Sequence, residues 1–116
     1  MASNFYVKTS RSVGSTFTAV NGYTVGAGVQ TTVIGLTVAN SLSGGAINAP
    51  GILIDAVIND GTNNTYIVRG ASVPGGGSIV LVGGEQKIVL QTGYSVQVRS
   101  DTPNSADVIM SVLEIS

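Results

Sequence analysis

The sequence contains no cysteine, no histidine and no tryptophan. The absence of cysteine excludes a disulfide framework, a thiolate nucleophile and a zinc–sulfur site. The absence of histidine removes the commonest general base and the commonest metal ligand. Charged residues make up only 9% of the chain, and its five cations are scattered along it. Nucleic-acid binding needs clustered cations, so we expect no nucleic-acid partner.

Long apolar segments are also missing. No stretch reaches about 18 consecutive apolar residues, the length that spans a membrane. The opening segment "MASNFYVKTSRS" lacks the apolar centre of a secretory signal peptide. We therefore expect no membrane association, no secretion by a signal peptide and an intracellular origin. So small a number of charges favours a chain that packs against copies of itself or against partners.

The residues that are abundant favour strands. Val (17), Ile (10) and Thr (11) outnumber Leu (6) and Ala (9), and 16 glycines supply turns. Side chains branched at Cβ suit a pleated surface better than a helix. Short apolar runs recur every eight to twelve residues or so, with no helical period. The sequence predicts an all-β fold, an antiparallel β-sandwich or jelly roll of seven to eight short strands, without a helix longer than one turn.

The two-residue alternation assigns faces to several strands. In "TTVIGLTVAN" it places Ile34, Leu36 and Val38 on one face. Between strands, "SLSGGAINAPG" (Ser41–Gly51) is a predicted loop, and "NDGTNN" (Asn59–Asn64) is a predicted hairpin turn.

The first 30 residues differ from the remainder. They are polar and rich in Gly, Ser and Thr, with short strands expected around Asn4–Thr9 and Thr16–Val20. Two interpretations stay open for residues 1–30: an edge hairpin, or an extended arm lying on a neighbouring subunit. Residues 31–116 form the predicted β-sandwich domain, and no further domain boundary is visible.

Two predicted strands carry apolar residues on both faces. One holds Leu53 and Val57 opposite its core face, and the other holds Ile109, Leu113 and Ile115 opposite its core face. Such a strand lies under a covering loop or contacts another chain. Because the sequence has few charges, these five residues are predicted to form a subunit interface.

The stretch "PGGGSIVLVGGEQKIVL" (Pro74–Leu90) has the glycines of a phosphate-binding loop but not its context. No Lys follows the glycines, and a strand follows them instead of a helix. The glycines at 75–77 are therefore predicted to form the turn before one strand. Those at 83–84 are predicted to form a hairpin between two strands.

No catalytic or cofactor site can be assembled from the sequence. The six acidic residues form no nucleophile–base arrangement, and a sugar-processing cleft would lack aromatic platforms. The turn "NDGTNN" could offer oxygen ligands to calcium, but turn formation explains its composition without an ion. We predict no enzymatic activity, no metal, no cofactor and no small-molecule substrate.

The C-terminal third carries a resemblance. "GGSIVLVGGEQKIVLQTGYSVQVRSDTPNSADVIMSVLEIS" (Gly76–Ser116) resembles the ending of small β-sandwich virion structural proteins of tailed bacteriophages, including cyanophages. A weaker likeness extends back to Thr31, and the first 30 residues are outside it. Tyr94 stands where Asp often occurs in that pattern, a position to which no function is attached.

The resemblance implies a non-enzymatic particle component, and a capsid decoration (cement) protein is the favoured interpretation. Such proteins are small, rich in β-structure and often trimeric, and they join neighbouring major-capsid subunits. It thus implies a homotrimer located in the virion, bound to the major capsid protein or other virion proteins. The polar N-terminal segment would serve as a capsid-binding arm, with its candidate contacts at Phe5, Tyr6, Lys8 and Arg11.

Two alternatives remain. A tail, collar or fibre-adaptor protein would have the same sequence features. A carbohydrate- or peptide-binding β-sandwich module would need a face with exposed aromatic residues, for which Tyr66 and Tyr94 are candidates. The favoured interpretation of these two tyrosines is that they pack in the core or at its rim.

Overall fold

The computed structural model describes residues 3–42 and 50–116, which form two antiparallel sheets. The predicted all-β, sandwich-like fold is confirmed. The first sheet contains β1 (Ser3–Val13), β3 (Gln30–Asn40), β6 (Ser78–Val82), β7 (Ile88–Leu90) and β9 (Ala106–Ile115). The second contains β2 (Thr18–Ala19), β4 (Ile52–Asn59), β5 (Asn64–Val73) and β8 (Ser95–Ser100). The helical structure in these ranges is a 3₁₀ turn at Val20–Gly22. The described residues contain no helix that is long and apolar enough to cross a membrane.

The two sheets enclose the core through alternate residues of their central strands. In the first sheet β9 lies between β1 and β3, and in the second β8 and β4 lie between β2 and β5. Val108, Met110 and Val112 of β9 are buried, as the alternation predicted. They join a single apolar cluster with inward side chains of the second sheet such as Ile54 and Val98. The opposite face of each sheet is left free of the core, and the candidate surfaces lie there.

A β-bulge changes the predicted face of β3. The pairing of β3 with β9 shifts register between Val33 and Gly35. The extra residue puts Val33 in the core with Leu36 and Val38, whereas Ile34 is only partly buried. The prediction that Ile34 shares the face of Leu36 is therefore wrong, because a bulge breaks the two-residue period.

The glycines at 83–84 do not form the predicted hairpin. Strands β6 and β7 both pair antiparallel with β3, β6 along Leu36–Ala39 and β7 along Thr31–Val33. They therefore run in the same direction along one edge of β3, and residues 83–87 form a turn that interrupts this edge. Gly84 adopts a φ of 61° there, and Gly76 a φ of 76° in the turn before β6. Both positive φ angles suit glycine.

The first 30 residues divide between the sheets. β1 pairs with β9 from Ser3 to Val13, and β2 pairs with β8. The two strands belong to different sheets, so they do not form a hairpin with each other. Among the described residues, β1 is an edge strand of the first sheet. Of the predicted loop Ser41–Gly51, residues 43–49 lie outside the described residues.

The predicted turn between β4 and β5 is confirmed. One carboxylate oxygen of Asp60, Oδ1, accepts the N–H groups of Asn63 and Thr62 at 2.7 and 2.9 Å. These hydrogen bonds hold the pKa of Asp60 below its usual range. The side chain thus closes the turn through the local backbone, which is the ordinary role of Asp at this position.

Candidate interaction surface

The outward face of the first sheet is apolar and accessible. The outward positions of β9 from Ile109 to Ile115 align with uncharged residues on every neighbouring strand. The large apolar residues of this surface, called here the apolar face, are Phe5, Val7, Val80, Val89, Ile109, Leu113 and Ile115. Five of them expose between 52% and 73% of their surface. The other residues at these aligned positions are Ser, Thr, Gly and Gln, so none of the aligned positions is charged.

The register explains why these side chains lie together. Leu113 aligns with Phe5 of β1 and with Thr32 of β3, and Thr32 in turn aligns with Val89 of β7. Residues that are directly opposite in antiparallel strands share a face, so this row crosses the whole sheet. A second row contains Ile109 and Val80.

The five residues predicted as one subunit interface lie on two opposite surfaces. Ile109, Leu113 and Ile115 belong to the apolar face, whereas Leu53 and Val57 are on β4 of the second sheet. Leu53 is 48% exposed on the outward face of that sheet, but Val57 is 0% exposed. The five candidate interface residues therefore do not form one surface, and Val57 is not accessible to another chain.

Val57 is buried on the outward face of the second sheet, beside large side chains of the neighbouring strands. The side chain of Val57 points to the opposite face from those of Ile54 and Ala56, so it lies outside the core cluster. Its cross-strand neighbours are Tyr66 on β5 and Gln97 on β8. The ring of Phe17 makes an edge contact with the ring of Tyr66, their centres 6.4 Å apart. Phe17 thus extends over the outward face of the second sheet, next to the Tyr66 that flanks Val57.

Charged residues contact this aromatic pair. The guanidinium of Arg99 lies over the Phe17 ring, and its Nε donates to Asp55 Oδ2 at 2.9 Å. Asp55 Oδ1 accepts the N–H of Gly70 at 2.7 Å. Partial burial raises the pKa of the Asp55 carboxyl, but these hydrogen bonds and the charge of Arg99 outweigh it and lower the pKa on balance. The outward face of the second sheet is therefore polar and charged, unlike the apolar face.

A cleft of about 400 Å³ opens beside this cluster. Its lining includes Leu53, Asp55, Arg69, Arg99 and Asp101. Both carboxylates already serve the fold, since Asp55 binds Arg99 and Asp101 Oδ1 accepts the N–H of Leu53 at 3.1 Å. Within residues 3–42 and 50–116, no three acidic side chains lie close enough together to hold a metal ion.

The predicted arm residues lie along β1 but point in different directions. Phe5 lies on the apolar face, at 73% exposure. Tyr6 and Lys8 alternate to the inward side, where the Lys8 ammonium lies 5.1 Å from the centre of the Tyr6 ring and 4.7 Å from that of Tyr23. Arg11 is exposed next to a bulge near the end of β1. The four side chains therefore do not form one contiguous contact patch.

Tyr23 closes the end of the sandwich beside Lys8. Its hydroxyl donates to a carboxylate oxygen of Glu114 and contacts the hydroxyl of the buried Thr31 at 2.7 Å. Burial and the hydrogen bond to Glu114 raise the pKa of Tyr23 to about 12. Sequence patterns gave no sign of this cluster, because its residues are up to 91 positions apart.

The two tyrosines considered for ligand binding have different surroundings. Tyr94 is partly buried against the core, as expected. Tyr66 is 41% exposed on the outward face of the second sheet, with the Arg69 guanidinium 5.1 Å from its ring centre. The prediction that Tyr66 packs in the core or at its rim is therefore wrong.

Comparison with known proteins adds no family. No protein-family model matches the chain, and no curated protein matches it either.

Proposed function

We propose that this protein is a structural component of a tailed-bacteriophage virion, a capsid decoration protein that binds as an oligomer across major-capsid subunits. The observation that carries the proposal is the apolar face. It consists of side chains that a chain acting alone would keep from water, and no charged residue interrupts its aligned rows. Large exposed apolar patches mark sites of association.

The resemblance to virion proteins and the apolar face involve the same part of the chain. The resembling segment, Gly76–Ser116, contains β8 of the second sheet and β6, β7 and β9 of the first sheet. The latter three strands contribute Val80, Val89, Ile109, Leu113 and Ile115 to the face. The segment that resembles virion proteins therefore also supplies most of the surface suited to permanent contact.

The size of the face supports a modest individual contact. Four strand widths of about 4.8 Å and seven residues of about 3.3 Å give a flat area of roughly 400 Å². A stable interface usually needs about 800 Å² from each partner. One copy alone would therefore attach weakly, and linked copies would attach tightly through avidity. This is the mechanism that we propose for attachment over a capsid junction.

The proposal is tested by adding purified protein to phage heads that lack it and measuring the bound fraction by co-sedimentation. Ile109→Glu places a charge in the apolar face and should weaken binding by at least about tenfold. Leu53→Glu is the matched control, because Leu53 is exposed to a similar extent (48% against 52%) on the opposite sheet. It should bind as the unmodified protein does.

The same experiment distinguishes the alternatives. Tyr66 beside the cleft is the observation that favours a carbohydrate- or peptide-binding module. Attachment that is lost in Leu53→Glu, which alters the cleft, and kept in Ile109→Glu would overturn the proposed role of the apolar face in favour of that module.

The copy number per virion, measured by quantitative protein staining, tests the other alternative. About a dozen copies per virion instead of hundreds would place the protein at the collar or baseplate.

A further inference from the structure

The first strand leaves one edge of the first sheet open. Among the described residues, β1 pairs with β9 and with no other strand. About half of the N–H and C=O groups of an edge strand point away from its only neighbour. Those groups on β1, which is 11 residues long, can form a further hydrogen-bonded ladder.

The other edges of the two sheets are protected. β2 has only two residues, and the β6–β7 edge is divided by the turn at residues 83–87. β5 pairs with β4 through two register shifts and contains Gly70 at a φ of 73°. Short strands, interruptions and bulges all discourage pairing with another chain. β1 has none of these features over its first eight residues.

From Ser3 to Ser10, β1 pairs with β9 without a register shift and contains neither proline nor glycine. It exposes three consecutive large side chains, Phe5 (73%), Tyr6 (45%) and Val7 (63%). The charged residue of this stretch, Lys8, lies over the rings of Tyr6 and Tyr23 on the inward side. A long, flat, apolar edge of this kind is a template for another strand.

We propose that β1 pairs antiparallel with β1 of a second copy, about a two-fold axis at Tyr6. This two-fold axis is perpendicular to the sheet, so the apolar faces of the two copies lie on the same side of the joined sheet. Residues that are directly opposite each other in the two β1 strands therefore point to the same side. Centring the pairing on Tyr6 puts Phe5 opposite the partner's Val7, which joins the two most exposed apolar side chains of the strand. Asn4 then lies opposite the partner's Lys8, without repulsion between like charges.

This pairing joins two first sheets into one and makes their apolar faces continuous. The combined flat area becomes roughly 800 Å², the size that one partner of a stable interface usually contributes. The contact closes at two copies because it is isologous. It therefore gives a dimer, whereas the resemblance to virion proteins implied a trimer. The inference depends on β1 alone and holds whether or not the protein belongs to a virion.

A single cysteine tests the pairing in the purified chain, which has no other cysteine. Opposite residues of an antiparallel pair have Cα atoms about 4.5–5.5 Å apart, within the range of a disulfide. Tyr6→Cys should therefore convert most of the protein to a covalent dimer under mild oxidation. Thr9→Cys is the control on the same strand, because Thr9 and the partner's Thr9 would be about 20 Å apart. Equal cross-linking of the two variants would overturn the proposal.

Analytical ultracentrifugation separates edge pairing from association through the apolar face. Val7→Lys puts a charge opposite the partner's Phe5 and should weaken the dimer at least about tenfold. Val80→Lys changes a residue of similar exposure (65% against 63%) at the far side of the same face and should leave the dimer intact. Far-UV circular dichroism verifies that both variants fold. A monomeric unmodified protein, or a trimer that survives Val7→Lys, would contradict the inference.

Discussion

The guanidinium of Arg99 lies 4.2 Å from the centre of the Phe17 ring. Phe17 directly precedes β2, a strand of only two residues, and its ring extends over the second sheet as far as Tyr66. This contact holds an aromatic ring among the charged side chains of that face. The two outward faces of the sandwich therefore differ, one carrying the Asp55–Arg99 ion pair and one with aligned rows of uncharged residues.

The Phe17 ring should contribute measurably to stability. Phe17→Ala removes its contacts with Arg99 and with Tyr66. We expect the free energy of unfolding to fall by about 2 kcal/mol, less than for a fully buried Phe. The measurement is urea unfolding followed by circular dichroism.

The only other phenylalanine provides the control. Phe5 is 73% exposed, so Phe5→Ala, measured at protein concentrations too low for β1 pairing, should change the unfolding free energy by no more than about 0.5 kcal/mol. Equal losses for the two variants would show that the contacts of Phe17 with Arg99 and Tyr66 do not stabilise the fold.

Tyr23 should make stability depend on alkaline pH. Its pKa is about 12 in the folded protein and 10.0 for a tyrosine side chain free in water. The unfolded chain therefore loses this proton first, and the stability present below pH 10 should decline as the pH rises from 10 towards 12. Tyr23→Phe should show a smaller decline over that range. Unfolding free energies at pH 9 and pH 11.5 measure the difference.

Tyr66→Phe is the matched control for this effect, because Tyr66 is 41% exposed on the opposite side of the molecule. It should keep the decline seen in the unmodified protein. At neutral pH, Tyr23→Phe should cost about 1 kcal/mol, since its hydrogen bonds with Thr31 and Glu114 are lost. A decline in Tyr23→Phe equal to that of the unmodified protein would contradict this role.

The turn that interrupts the β6–β7 edge should require glycine for its backbone angle. Gly84 has a φ of 61°, and no atom lies within 4 Å of a Cβ built there. Gly84→Ala should therefore destabilise the protein by about 1 kcal/mol through backbone strain alone. Thermal unfolding measures the loss.

Gly26 has equally open space but no positive φ. Gly26→Ala should be neutral or slightly stabilising, because alanine narrows the unfolded ensemble. If both substitutions have the same effect, the φ angle at Gly84 is not what requires glycine.

The local pattern of residues was enough to locate the strands, because alternation and turn residues act over a few positions. It predicted β4, β8 and β9, the buried row Val108, Met110 and Val112, and the turn closed by Asp60. It also identified Ile109, Leu113 and Ile115 as outward apolar residues. It failed for Ile34 and for the turn at Gly84, since a bulge and the shared edge of β3 depend on which strands pair.

The candidate surface was only partly visible in the sequence for the same reason. Composition and alternation are enough to specify an all-β chain with more apolar residues than one core needs. Only the tertiary structure makes Val57 buried beside Tyr66 and Gln97, while Ile109 is 52% exposed in an aligned row. Pairing between distant strands sets both outcomes, and it leaves no signal in the local order of residues.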